Sequence, residues 1–331
     1  MSQLPRGSKE LIGLLTAADV VRARLRISRH LQASPLKPSF WLPHQVYLKL
    51  DCVQPTGSFK VRGAFNKLYA LLEERAQIGR VVTASSGNHG QAVALAAQQL
   101  GLRATVVVPD TIPRTKAAAI RRLGAELVVH GPTYDAAEDH ALQMASQSGA
   151  TYVSAYDDLH IMAGQGTCAW EILEAMPEVD LLLVPVGGGG LLAGVAVAAK
   201  SIKPTLRVVG VQPEASPSMA ESYRVGRLVQ VDYRPTVADA VVGNISSRTL
   251  EIAQRWVDDV VTVPEEAIFR AIKLHALRDH VMVEGAGALP LAALLEGKVR
   301  VEARETVVLI LSGANIDPAT FREVLDRSDD T

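Results

Sequence analysis

Cysteine is scarce in this chain of 331 residues: Cys52 and Cys168 are its only two, far apart and outside any C-x-x-C pair. That scarcity excludes a disulfide scaffold and a cysteine-rich zinc site, and it fits a reducing cytoplasmic setting. Charge of one sign is lacking too. A net charge of -1 and a pI of about 6.7 leave no electrostatic footprint for nucleic acid or an anionic membrane, so the expected partners are small molecules or further copies of the chain. Low-complexity tracts, long charge blocks and repeats at solenoid spacing are all missing. The residues from Leu181 to Ala199 carry no charge, yet Pro185 and four consecutive glycines interrupt them, which predicts a strand, a loop and a helix and not a membrane span. Leu11 to Ala18, after Arg6 and Lys9, faintly resembles a leader core; Thr16 and Asp19 ahead of Val20 and Val21 read better as a helix capping box.

What is present is an ordinary globular balance, 48% hydrophobic and 21% charged, over a length that suits roughly two domains. From residue 80 the text alternates between short apolar runs and helical patterns. Val81 to Ala84, Ala104 to Val108 and Glu126 to Val129 read as strands. His89 to Leu100, Thr115 to Leu123 and Asp135 to Gln147 read as helices. A second alternation follows, with strands at Leu181 to Val186, Arg207 to Val211 and Val307 to Leu311. Its helices are Gly164 to Ala175, Leu191 to Lys200, Ser247 to Trp256, Glu265 to Arg278 and Ala288 to Leu295. This rhythm predicts an α/β protein of two doubly wound domains with mostly parallel sheets and ligands at their carboxyl edges. A small domain is expected at 80-155 and a large one at 1-79 plus 156-331. Gln45 to Leu50 reads as the strand leading into a helix that runs to about Ala76.

Three turns carry chemistry. In Gln54 to Ala64, Lys60 stands between Phe59 and a helix-forming run, after Pro55, Gly57 and small hydroxyl residues; such a turn can bury the lysine, lower its pKa and free its amine to attack a carbonyl. Gly187, Gly188, Gly189 and Gly190 lie between an apolar strand and a helix, where bare amides can close on a phosphate. The same glycines satisfy G-x-G-x-x-A through Ala193, but the acid that a dinucleotide ribose needs is replaced by Gln212, and no Gly-Lys-Ser/Thr follows for a triphosphate. Ser85, Ser86, Gly87, Asn88 and His89 open another helix, a natural seat for a carboxylate. Together these describe pyridoxal phosphate carrying an amino acid.

The residues Thr56 to Ala64, Ser85 to Gln91, Val186 to Gly190, Glu284 to Gly287 and Ser312 to Asn315 resemble, in order and over nearly the whole chain, the serine/threonine dehydratase and serine racemase family. That family is the fold type II group of pyridoxal-phosphate enzymes, with a tryptophan synthase β-like architecture. The resemblance implies Lys60 as Schiff-base lysine and proton carrier, Phe59 against the ring and Asn88 on the ring hydroxyl. It also implies Gly187 to Gly190 on the phosphate, Ser312 on the pyridine nitrogen, Glu284 beside the ring, and Ser85 to His89 around the substrate carboxylate. In the large domain it places the cofactor and in the small one the substrate carboxylate. It further implies a homodimer. Gln212-Pro213 stands where metal-bound members have Glu-Pro, with Ser216 and Ser218 nearby, so no metal is expected. Ala240 adds a methyl beside the ring, and the chain's end soon after Ser312 leads us to expect no regulatory domain.

The activity so implied is dehydration and deamination of a β-hydroxy-α-amino acid such as L-threonine or L-serine. Three other readings stay open. One is a specialised dehydratase of hydroxyaspartate or of a hydroxyectoine breakdown product. Another is a serine racemase using Ser86 as second acid/base. The last is a non-catalytic cofactor-binding protein or nicotinamide dehydrogenase.

Overall fold

The computed structural model describes residues 15–74, 78–85, 87–112 and 114–327. Ten strands form two sheets. The larger takes β1 (Leu36–Pro38), β2 (Gln45–Lys49), β7 (Leu181–Pro185), β8 (Arg207–Pro213), β9 (Asp259–Val263) and β10 (Thr306–Ile310) in the order β1-β2-β10-β7-β8-β9. Only the β1–β2 pair is antiparallel. The smaller sheet is all parallel, β5-β4-β3-β6, from β3 (Arg80–Ala84), β4 (Arg103–Val108), β5 (Glu126–Val129) and β6 (Thr151–Tyr152). The helices are α1 (Ala17–Ile27), α2 (Lys60–Glu74), α3 (Asn88–Gln99), α4 (Arg114–Arg122), α5 (Tyr134–Ser148) and α6 (Leu159–Ala175). They continue with α7 (Gly190–Ile202), α8 (Ser218–Val225), α9 (Ser247–Trp256), α10 (Glu265–Leu274), α11 (Gly285–Leu295) and α12 (Pro318–Asp326).

The unbroken apolar strands are explained by what covers them. Along β7, Leu181 and Leu183 enter one core cluster with α10 and α11, while Leu182 and Val184 enter another with α6 and α7. Alternate residues of a strand face opposite sides, so a strand buried on both must be apolar throughout. Thr16 and Asp19 form the expected capping box at α1, and the uncharged stretch is β7, a loop and α7. Among the described residues no helix is long and apolar enough to cross a membrane. The expected end of α2 at Ala76 lies outside the described residues.

Several elements depart from the sequence reading. β1 and β6 are too short to show a period, and β9 opens on Asp259, whose charge disguised an edge strand. α6 begins at Leu159, five residues before the expected start, behind Asp158, whose carboxylate accepts from the His160 and Ile161 amides. Gly164 hid that extension: a Cβ there would lie 2.6 Å from the Gly63 Cα, so α2 and α6 cross almost in backbone contact. α10 gives way after Leu274 to a π-helical turn, His275–Asp279, instead of running on to Arg278.

The crossing is locked by charge. Arg62 is fully buried and bidentate to both Asp51 (2.7 and 2.8 Å) and Glu171 (2.7 and 2.7 Å), with Thr167 at 3.1 Å and Ser34 at 3.2 Å. Lys49 adds a third bond to Glu171 at 2.7 Å. Burial alone would raise the Asp51 and Glu171 pKa values; the Arg62 fork outweighs it and holds both below their usual range. Removing one partner of such a set strands the others. Arg62→Ala is expected to cost about 3–5 kcal/mol in denaturant unfolding, and Arg62→Lys to restore little of it because ammonium lacks the planar fork.

Candidate active site: a cavity around Lys60

The carboxyl ends of β2, β3, β7 and β10 run into the turns that the sequence singled out. Thr56 and Gly57 both take left-handed backbone, at φ 66° and 71°, and a Cβ on Gly57 would meet Asn315 Oδ1 at 2.8 Å. This turn is zipped to the residues after β10. Phe59 N donates to Ser312 O at 2.9 Å, Ala314 N donates to Gly57 O at 2.9 Å, and Ser58 bridges Gly313. Asn315 Nδ2 donates to Thr56 O and to Asn88 Oδ1, both at 2.7 Å, and Asn88 Nδ2 donates to Glu284 Oε1 at 2.8 Å. One hydrogen-bonded line thus joins the lysine turn, the start of α3 and the residue ahead of α11.

Lys60 is the first residue of α2. Its Nζ donates to Ala155 O at 2.9 Å and lies 5.2 Å from the Phe59 ring centroid. Burial pulls its pKa from 10.5 down to about 8, with the Glu284 charge opposing. Glu284 is pushed up to about 7, first by burial and then by Asp239, while Asn88 opposes. His89 is 3% exposed and held down to about 3 by burial and the Lys60 charge. Its Nε2 lies 3.1 Å from Val153 O, an acceptor, so Nε2 carries the proton and Nδ1, without a partner among the described residues, is a bare acceptor.

A cavity of about 420 Å³ opens here. Phe59, Lys60, Ser85, Gly87, Asn88, His89, Gly187, Gly188, Gly189, Gly190, Glu284 and Ser312 all line it. Ser86 lies outside the described residues. Ala240 reaches the same wall. The motif reading missed Lys116, Tyr134, Asp135, Glu138, Tyr156 and Tyr233, which stand in no shared motif. A signal existed for two of them: Thr133 caps α5, so Tyr134 and Glu138, four residues apart, share a face.

The cavity wall fits a phosphorylated cofactor. Gly189 (φ 93°) precedes α7 with no side-chain cap, so the first amides of that 13-residue helix stay open to an anion. Gly188 is closed from behind, since a Cβ there would lie 2.3 Å from the Tyr156 ring. A metal finds less. Gln212 is buried, with Oε1 accepting from Met219 N and Ala220 N at 2.9 Å each and Nε2 donating to Val186 O at 3.3 Å, so its amide caps α8. No three His, Cys, Asp or Glu residues gather around a metal-sized space among the described residues.

A mostly parallel α/β frame that sets a lysine amine of lowered pKa in one cavity with a bare helix N-terminus defines an enzyme class that holds a phosphorylated carbonyl cofactor. The comparisons narrow it. The chain belongs to the pyridoxal-phosphate-dependent enzyme family, which it matches over residues 27–313, and the fold type II architecture is that of its structural neighbours. It is similar to the L-threonine ammonia-lyase of Thermotoga maritima, 41% identical over 319 residues, 95% of this chain and 79% of that one. Among solved structures it resembles maize serine racemase (TM-score 0.88, 32% identity, 93% and 96% of the two chains). It also resembles the processed form of threonine deaminase isoform 2 from Solanum lycopersicum (TM-score 0.85, 34% identity, 98% and 89%). The nicotinamide reading of the glycine loop therefore falls.

Gly188→Asp places a carboxylate at the open amides and a Cβ against Tyr156. The expected outcome is loss of pyridoxal phosphate during dialysis, followed by absorbance, with the fold retained by circular dichroism; retention at wild-type level would place the phosphate elsewhere.

Proposed function

We propose that the protein is an ammonia-lyase that takes water and then ammonia from a β-hydroxy-α-amino acid, with L-threonine and L-serine as default substrates, and releases a 2-keto acid. The observation that carries this reading is the Lys60 amine, buried to a pKa of about 8 in the same cavity as the glycine loop and the start of α3. When bound, pyridoxal phosphate supplies the electron sink for charge developing at the substrate α-carbon.

The chain's own groups do the rest. Lys60 Nζ would hold the cofactor aldehyde and, once displaced by the substrate amine, carry the α-proton; an amine poised near neutrality does both. The glycine amides at α7 hold the phosphate. Asn88 spends its oxygen on Asn315 and one N–H on Glu284, which leaves one N–H for the ring hydroxyl. Ser312 would offer the pyridine nitrogen a hydrogen bond without an opposite charge, and Phe59 would lie against the ring. Because the His89 ring has no proton at Nδ1, the substrate carboxylate is left to the hydroxyl and amide donors from Ser85 to His89. Residues 1-79 plus 156-331 form the cofactor-holding unit and 80-155 the carboxylate-holding one, a division supported by the two separate sheets. We assign the working form as a homodimer by family likeness, and its setting as cytoplasmic by the scarcity of cysteine.

Racemisation is the second reading, favoured by the likeness to maize serine racemase and by Ser86 on the family motif. Ser312 would give the pyridine nitrogen a hydrogen bond and no opposite charge, a weaker electron sink that would favour loss of a β-hydroxyl over racemisation. Incubated with L-serine and L-threonine, the enzyme is expected to release keto acid faster than it forms D-enantiomer, at a rate unchanged by chelator. Faster racemisation would overturn the lyase reading. Loss of activity in chelator, restored by magnesium, would overturn the metal-free one.

A further inference from the structure

The first five residues of α5 bring Tyr134, Asp135 and Glu138 to the cavity, and Tyr156 and Tyr233 join the lining from other parts of the chain. Carboxylates outnumber ammonium groups on this lining: Asp135, Glu138, Asp239 and Glu284 against Lys60 and Lys116. Lys116 is already spent on Asp239 at 3.2 Å. Glu138 is held as an acceptor by Tyr152 OH at 2.7 Å and Tyr134 OH at 3.3 Å. Asp135 is exposed and its side chain has no hydrogen-bond or ion-pair partner among the described residues, and among them the buried His89 Nδ1 has none either. The local potential registers in the phenols. Tyr156 is pushed up to about 12 by burial and by Glu138, and Tyr233 is raised by burial and by Asp135.

Beyond the donors assigned to the cofactor and the substrate carboxylate, the α5 side of the cavity presents carboxylates, which a donor on the substrate side chain would complement. We infer that the preferred substrate is a β-hydroxy-α-amino acid whose side chain continues past the hydroxyl carbon to an ammonium group, received by Asp135 and Glu138. This deepens the lyase reading and rests on it. The same carboxylates repel the anionic side chain of 3-hydroxyaspartate, and threonine leaves them unused.

The test is keto-acid release from three probes: L-threonine, 3-hydroxyaspartate and 4-aminothreonine, which is threonine with an ammonium on its γ-carbon. The expected kcat/KM for 4-aminothreonine exceeds that for threonine by about tenfold, the scale of two partly exposed ion pairs, with 3-hydroxyaspartate lowest. Asp135→Lys combined with Glu138→Gln is expected to invert the ratio of 4-aminothreonine to 3-hydroxyaspartate. Asp135→Asn, on an exposed first-turn residue that leaves the Thr133 cap in place, gives the same direction at smaller size. Equal or better use of threonine or 3-hydroxyaspartate by the wild type, or a ratio that neither variant moves, overturns the inference while the lyase reading stands. Keto acid from none of the three overturns both.

Discussion

The fork of Arg62 between Asp51 and Glu171 is the constraint on which the rest depends. It sits two residues after Lys60 and ties the first turn of α2 to the end of β2 and to α6, while the near contact of Gly63 with Gly164 removes any slack between the two helices. On the other side the turn before Lys60 is zipped to Ser312, Gly313 and Ala314. An amine on a long flexible side chain is positioned only if its backbone cannot move, and here the backbone is held from both directions. A buried ion set is a costly way to do this, and it is strongly intolerant of losing one member.

From that anchoring the electrostatics follow. Lys60, Glu284 and His89 share one poorly solvated wall, and each is displaced toward its neutral form for the same first reason, burial. Asp135 and Glu138 line the same cavity from α5, and the Lys116–Asp239 pair lies close enough to Glu284 to act on it. The cavity therefore combines a near-neutral zone fit for proton transfer with an acidic zone fit for selecting a side chain. Gln212 shows the same economy elsewhere, using an amide to close α8 where a carboxylate would have brought a charge.

Much of this was legible in the sequence because the relevant signals are local. Strand-helix alternation set out both sheets, and the glycine loop, the lysine turn and the Ser85 to His89 segment each stand beside their own strand ends. Short or charged elements, β1, β6 and β9, were not legible, since too few residues carry a period. Nor was the duty of Arg62, although its letter stood inside the motif: its partners lie 11 and 109 residues away, and only the fold brings them together. Tyr156 and Asp135 were invisible for the same reason, because a pocket wall assembled from separate turns leaves no spacing to read.

The most direct test of the central claim, that the fold delivers one lysine amine of lowered pKa to the cavity, is a pH series on apo-protein. Pyridoxal phosphate is added, the link is fixed with borohydride, and the adduct is located by mass spectrometry. The account predicts a pyridoxyl group on Lys60 whose formation rises with a midpoint near 8, as the amine loses its proton. An adduct on another lysine, or a midpoint near the ordinary 10.5, would contradict it.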